Sequence, residues 1–231
     1  MKIRPLQVVP MGDLAAYVEF SRTLDLEINA LVQRLGVAVH ALGVPWIRDV
    51  VPALGGLALH FDPGFQGNCT QTAAELVELC LKDLPRADQV LRTVQVPVCY
   101  DLEFALDLEE ISRRTELGKD RIIELHLAGD YRVLMMGFAP GHAYIGGLDP
   151  KLSVPRRATP RAVVPAGSVA IANDQTVIYP YAISGGWNVI GRTPLRLFDP
   201  QRQEPSLLAS GDRVRFRAIG REEFMKLSQQ A

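Results

Sequence analysis

Three arginines, a histidine and a tyrosine share one unusual stretch of this sequence. GFAPGHAYIGGLDPKLSVPRRATPR, residues 137–161, sets Gly137, Gly141, Gly146 and Gly147 and Pro140, Pro150, Pro155 and Pro160 among apolar and aromatic residues. It ends on Arg156, Arg157 and Arg161, with no acid between them. Glycine lets a backbone turn sharply or approach another group, and proline lowers the cost of ordering a loop. The stretch therefore reads as a rigid, irregular loop, shaped by Pro140 and Gly141 and presenting His142, Tyr144 and Asp149. Guanidinium forks grip carboxylates and phosphates in two-pronged geometry. A second stretch, SGGWNVIGRTP at 184–194, has the same make-up: Gly185 and Gly186, Trp187, then Arg192 and Thr193 before Pro194. Two such segments in one chain point to a single site with aromatic walls that accepts an anion.

Nothing nearby completes a catalytic set. GxSxG, the phosphate-binding GxxxxGK[ST] and GxGxxG are all absent, and neither Ser168 nor Ser184 has an activating neighbour in sequence. The four histidines are scattered without HxxxH or HExxH spacing. Cys69, Cys80 and Cys99 are an odd count without CxxC spacing, as expected of free thiols in a reducing compartment. No metal centre is expected. The residues alone therefore predict a ligand-binding unit, or half of an active site.

The elements that position these groups divide in two. Residues 130–231 carry thirteen Lys and Arg against eight Asp and Glu, whereas the whole chain has a net charge of −1. The second part is thus the better suited to an anionic ligand. In the first part, LQVVP and AAYVEF read as strands around a turn at Met11-Gly12-Asp13. A helix is expected from Thr23, with Leu24, Ile28, Leu31 and Leu35 on one face and Asp25 and Glu27 in its first turn. WIRDVV and GLALHF follow as strands. A second helix is expected to open with a Thr72-x-x-Glu75 capping box and to stop at Pro85. That order, ββαββα, fits an α/β sandwich with helices on one face.

A strand over 91–101 and two short helices over 107–126 come next. The helix pair has the outline of a DNA-binding motif around Gly118, but its acids outnumber its bases, which opposes docking on phosphates. A packed helical corner is expected, and no nucleic-acid partner. From Tyr131 the chain is β-rich: YRVLMMGF, AVVPAGSVAIA, TVIYP, GWNVIGRT, PLRLF and DRVRFRAI, with turns at Asn173-Asp174 and at 210–212, predict a closed or nearly closed barrel. The expected division is a domain at 1–90 and another at 91–231. No apolar run of about 18 residues predicts a membrane span, and MKIRPLQVVP lacks the apolar core of a signal peptide, so a cytoplasmic protein is expected.

The series GF-PG, GGLDP, PRR, VPAGSV, QT, YP, GGW, IGRTP and LFDP, together with VPVCYDLEFALDLEEI upstream, resembles the family of the 5-oxoprolinase B subunit, the kinase inhibitor KipI and allophanate hydrolase subunit 1. It is also similar to half of the carboxyltransferase domain of urea carboxylase. The resemblance covers nearly the whole chain. It implies an α+β protein with a ferredoxin-like N-terminal domain and a cyclophilin-like β-barrel C-terminal domain. It implies the B subunit of an ATP-dependent 5-oxoprolinase, inactive alone, that opens 5-oxo-L-proline to L-glutamate with the C and A subunits of that enzyme as partners. The alternatives it carries are a KipI-like inhibitor of a sensor histidine kinase and a urea-carboxylase or allophanate-related component. On the matching motifs it implies Arg157 and Arg192 as catalytic groups, and His142, where this chain departs from the family, is a further catalytic candidate. Pro140, Gly141, Tyr144, Asp149, Arg156, Gln175, Tyr179, Gly186, Trp187 and Thr193 are implied as substrate-binding. Three motifs depart from the family pattern: His142 and Ile145 stand for Phe and Leu, Val177 for Gly, and Ile183-Ser184 for Ser-Pro. These departures bear on substrate identity more than on fold.

Overall fold

The computed structural model of the chain describes residues 4–84 and 92–230. The chain forms two compact units, Met1–Val90 and Leu91–Ala231. Among the described residues no helix is long and apolar enough to cross a membrane.

The first unit runs β1 (Gln7–Pro10), β2 (Ala15–Glu19), α1 (Leu26–Ala41), β3 (Ile47–Pro52), β4 (Gly56–Phe61) and α2 (Cys69–Lys82). Its sheet is antiparallel with order β1-β2-β4-β3. Alternate residues Ala16 and Val18 of β2 and Leu57, Leu59 and Phe61 of β4 share a core with Leu31, Val32, Leu35 and Val39 of α1 and Ala73, Val77 and Cys80 of α2. Side chains alternate across a strand, so both helices cover one face of the sheet. This is the ferredoxin-like sandwich, with the edge beside β2 supplied by β1 at the start of the chain rather than by a strand after α2.

Both helix starts differ from the sequence reading. Asp25 is not inside α1 but caps it, accepting from the Glu27 and Ile28 amides at 2.9 and 3.1 Å. Leu24 therefore precedes the helix and is exposed. The second helix opens at Asn68, whose carboxamide oxygen accepts from the Gln71 amide at 3.0 Å. Asparagine is at least as good an N-cap as threonine, so the earlier position wins and Thr72 falls inside the helix. Glu75 then meets Gln71, 2.9 Å away, instead of closing a capping box. The expected stop at Pro85 lies outside the described residues.

The second unit opens with β5 (Thr93–Val98), α3 (Leu108–Thr115), α4 (Lys119–Ala128), β6 (Tyr131–Met136) and β7 (Ala143–Gly146). A short 3-10 turn (Pro150–Leu152) leads to β8 (Arg161–Val164), β9 (Ser168–Ala172), β10 (Gln175–Ile178), β11 (Ile183–Gly185), β12 (Asn188–Arg192), β13 (Arg213–Ala218) and α5 (Arg221–Ser228). Seven strands form one sheet in the order β12-β9-β10-β7-β6-β13-β5, and β5 lies parallel to β13. The two ends of that sheet meet: Cys99, just past β5, and Arg192, ending β12, exchange backbone hydrogen bonds of 2.8 and 2.9 Å. A single bridge thus nearly closes a barrel.

Its interior holds Ala143, Ile145, Val169, Ile171, Ile178, Ile190 and Val214, joined by Leu108 and Ile111 of α3 and Ile122 and Leu125 of α4. The helix pair is thereby a corner packed into the barrel core. Among these apolar residues sits His126, with Nδ1 2.8 Å from Tyr100 Oη and Nε2 3.3 Å from Thr176 Oγ1. Burial holds its ring neutral, with the pKa pushed down to about 3.

Three features of this unit depart from the sequence reading. The Gly/Pro-rich stretch is not all loop: its residues 143–146 are β7, paired with β6 on one side and β10 on the other. PLRLF is not a strand, since Pro194 removes a backbone donor and only Phe198 makes a bridge, to Ser206. The α5 helix has no counterpart in the sequence reading; it packs Phe224 against Phe104 with ring centroids 4.5 Å apart.

Candidate functional site

The sequence alternation that fills the barrel interior leaves every second residue of its strands on the outer face. On β10 these are Gln175 and Val177, followed by Tyr179; on β7, Tyr144 beside Val177 in register; on β9, Ala170 and Ala172. This face is not left to solvent. The two-stranded sheet of β8 and β11 lies against it, and Val164, Ala170, Ala172, Val177, Tyr179, Trp187 and Val189 form a second core there, with Tyr144 and Ile183 packed against it.

An aromatic group grows from the edge of that second core. The His142 ring stands edge-on to Phe138, Tyr144 and Tyr179, with centroids 5.4, 4.9 and 5.8 Å away. Tyr144 in turn meets Trp187 at 6.1 Å. The turn before β7 sets this up: the His142 amide donates to the Ala139 carbonyl at 3.0 Å, and the Gly137 amide donates to the His142 carbonyl at 3.1 Å. Gly141 in that turn has φ 76° and comes so close to Phe198 that a Cβ would sit 2.7 Å from the Phe198 Cβ. Phe138 also has a positive φ, 74°, which is costly for an aromatic residue, yet its side chain is 66% exposed. Strain and exposure together at an aromatic residue mark a position that packing alone does not explain. His142, by contrast, is only 2% exposed; burial pushes its pKa down to about 4, opposed by the neighbouring Gly137 carbonyl, so the ring is neutral near pH 7.

Guanidinium groups flank the aromatic group. Arg156 lies over Trp187, its guanidinium carbon 5.3 Å from the ring centroid. Arg156 and Arg161 both favour the ionised form of Tyr179, but burial is the larger effect and raises its pKa. The Arg157 amide donates to the Gly186 carbonyl at 2.8 Å, which ties the two Gly- and Arg-bearing segments together at Gly186 and Trp187. Arg157 and Arg161 are not free cations, however. Both grip Asp107, Arg157 through one nitrogen at 2.5 Å and Arg161 through two at 2.6 and 2.8 Å. The second Asp107 oxygen also accepts from the Val189 amide at 2.8 Å. Asp107 is 2% exposed and sits just before α3. In sequence it is one acid within an acidic run. The available signal was a carboxylate at a helix start in a chain with an acid-free cluster of arginines elsewhere, and that signal does not name a partner 50 residues away.

The remaining residues expected at the site fall into two groups. Pro140 is exposed in the His142 turn, Gln175 lies on the Val177 face, and Asp149 caps the 3-10 turn by accepting from the Lys151 amide at 2.8 Å. Arg192 and Thr193 belong elsewhere in the barrel. Arg192 donates from Nε to the Ala166 carbonyl at 2.7 Å, and its guanidinium lies over Phe104 and Phe224 at 5.9 and 6.0 Å. Thr193 is buried, with Oγ1 3.3 Å from the Leu195 amide. Val189, at the Asp107 end of β12, is three residues from Arg192, a separation of about 10 Å along a strand. The structure thus joins Arg156, Arg157 and Arg161 to the His142 and Trp187 segments and gives Arg192 other neighbours.

Among the described residues no group of three or more His, Cys, Asp or Glu side chains could hold a metal ion. What the arrangement offers is binding: flat apolar walls, a neutral imidazole, and cations at the rim for a carboxylate or phosphoryl group.

The chain has relatives among known proteins. The carboxyltransferase domain, subdomain C and D, matches residues 6–208. The chain is 34% identical over 227 residues to the 5-oxoprolinase B subunit of Bacillus subtilis (strain 168), covering 94% of this chain and 95% of that protein. It resembles the crystal structure of TTHA0988 with a TM-score of 0.76 and 37% identity, over 89% of this chain and 39% of that one. Urea amidolyase of Kluyveromyces lactis superposes with a TM-score of 0.78 over all of this chain at 18% identity, a likeness of fold alone. That protein is far longer, and this chain spans 16% of it.

Proposed function

The chain belongs to the family of the carboxyltransferase domain, subdomain C and D, and from that membership we propose that it is the B subunit of a multi-subunit, ATP-dependent 5-oxoprolinase. The observation that carries this reading is the 34% identity with a 5-oxoprolinase B subunit over 94% of the chain, a match that takes in both units. The chemistry of the site agrees with it. 5-Oxo-L-proline is a small, flat ring with a lactam edge and a carboxylate. The faces of Tyr144 and Trp187 suit the ring, and the Arg156 guanidinium, backed by the net positive charge of Arg157 and Arg161 on their shared Asp107, suits the carboxylate.

An unstrained lactam is a poor electrophile, and ATP supplies the assembled enzyme with the means to activate its carbonyl. The residues here fit a supporting part in that chemistry, because they offer cations and apolar walls but no phosphate-cradling glycine loop. Homologues of the C and A subunits complete the enzyme, and the isolated chain does not turn over.

The test is co-expression with homologues of the C and A subunits, followed by assay of glutamate release from 5-oxo-L-proline. ATP-dependent glutamate release is expected from the assembled enzyme and negligible release from this chain alone. Robust turnover by the purified chain alone would remove the requirement for partners, and none from the assembly would remove the substrate.

A further inference from the structure

Buried side-chain atoms with no hydrogen-bond partner are few in this structure, and two of them belong to the candidate site. Among the described residues they are Tyr131 Oη, His142 Nδ1, Arg157 Nε and Arg213 Nε. An unpaired buried polar atom is costly, so one that persists at a binding site points to a partner that comes and goes. His142 is the informative case. Its ring is nearly enclosed by the rings of Phe138, Tyr144 and Tyr179, none of which offers a partner to Nδ1.

The chemistry of the orphan atom follows from the protonation state. A neutral imidazole carries one proton on one of two nitrogens, and the tautomer is set by where that proton has an acceptor. Nδ1 has no hydrogen-bond partner in this structure, and with the ring proton on Nε2 it presents a lone pair. A buried lone pair among aromatic walls recognises a ligand donor and disfavours a ligand acceptor. The exposed, strained Phe138 beside it provides a face against which a flat ligand group can lie.

We propose that His142 Nδ1 accepts a hydrogen bond from an N–H of the ligand, making this site selective for an amide-type ring edge over an isostere that lacks the N–H. The proposal rests on the reading of this surface as the ligand site, and it names the group that the imidazole selects. It assigns His142 to recognition, with no proton transfer in the reaction.

Two measurements test it. In the assembled enzyme, 3-oxocyclopentane-1-carboxylate, which has CH2 where 5-oxo-L-proline has N–H, serves as a competitive probe. The wild-type enzyme is expected to favour the lactam by about tenfold or more, as sites built to bond an N–H do. In His142→Phe, a ring of similar shape, the two should bind within about twofold of each other. His142→Gln keeps an acceptor and should recover part of the preference. Equal binding of the two rings by wild type overturns the proposal while leaving the 5-oxo-L-proline reading intact.

The second measurement does not depend on that substrate. Nitrogen NMR of the full chain with labelled histidine, with His142 assigned by its loss in His142→Phe, reads the tautomer directly. Nδ1 is expected to be unprotonated in the free chain and to shift on addition of 2-pyrrolidinone but not of cyclopentanone. A protonated Nδ1, or the same response to both probes, overturns the proposal even where 5-oxo-L-proline is turned over. If the enzyme ignores 5-oxo-L-proline while the NMR response to 2-pyrrolidinone is seen, the substrate reading fails and the subsite stands.

Discussion

A carboxylate that accepts four hydrogen bonds and has almost no access to water, as Asp107 does, positions whatever it touches. Through its two oxygens it sets Arg157 and Arg161 beside the aromatic group and fixes the start of β12 through Val189. Taking away one partner of such a buried pair is costly because the other charges remain. The two arginines are partly exposed, which places the loss at the lower end of the usual range, about 3 kcal/mol. Asp107→Ala is therefore expected to lower unfolding stability by about 3 kcal/mol in urea titration. Asp107→Asn keeps an acceptor oxygen and should lose less. In the assembled enzyme Asp107→Asn is expected to raise KM for the substrate by about tenfold with a smaller change in kcat, because it releases Arg161 rather than removing it. An unchanged KM would mean that the cluster only holds the fold. The sequence showed the arginines because they stood together without acids, and it hid Asp107 because pairing across 50 residues leaves no local trace.

At the level of elements, the β8–β11 pair is the part of the barrel that makes the site. It covers the outer face of β9, β10 and β12 and brings Trp187 over that face. Its fit depends on Gly185 in β11: a Cβ there would lie 2.1 Å from the Tyr179 hydroxyl and 2.7 Å from its ring. Tyr179 is fully buried and cannot swing aside, so Gly185→Ala must push β11 outward. The expected cost is about 1–3 kcal/mol, with a red shift of Trp187 fluorescence as that ring gains water. The second tryptophan, Trp46, is in the other unit, and Trp46→Phe isolates the signal. A blue or unchanged spectrum with full stability would show that the pair is not held this way. The sequence marked this region only as glycine beside tryptophan. β7 escaped the sequence reading for a related reason: glycine and proline signal turns, but a short strand with neighbours on both sides takes its hydrogen bonds from them whatever its composition.

For the molecule as a whole, the two neutral histidines of the barrel unit set a pH dependence. His126 and His142 have folded-state pKa values pushed down by burial to about 3 and about 4, below the ordinary value of 6.5. Above pH 6.5 both are neutral folded or unfolded and contribute nothing to the slope. As the pH falls below that value the unfolded chain takes up protons that the folded chain refuses, and stability is lost, by about 1.4 kcal/mol per pH unit for each histidine. The loss levels off near pH 4 for His142 and near pH 3 for His126. Urea unfolding at about pH 7, 6 and 5, followed by Trp187 fluorescence, should show this decline, and His142→Phe should remove one histidine's share of the slope. A variant with the wild-type slope would mean that His142 is protonated in the folded protein. Neither environment was legible in the sequence, where the four histidines are simply scattered. What the sequence determined by itself was local or patterned. Short strands punctuated by turns predicted a barrel, helical spacing predicted the sandwich helices within a few residues, and the glycine, proline and arginine motifs carried the family. The tertiary structure alone decided which cations stay together. It sent Arg192 to Phe104 and Phe224, bound Arg157 and Arg161 to Asp107, and enclosed His142 Nδ1 without a partner. Those outcomes depend on which strands become neighbours when the barrel closes at Cys99 and Arg192, and that pairing is a property of the whole sheet rather than of any segment.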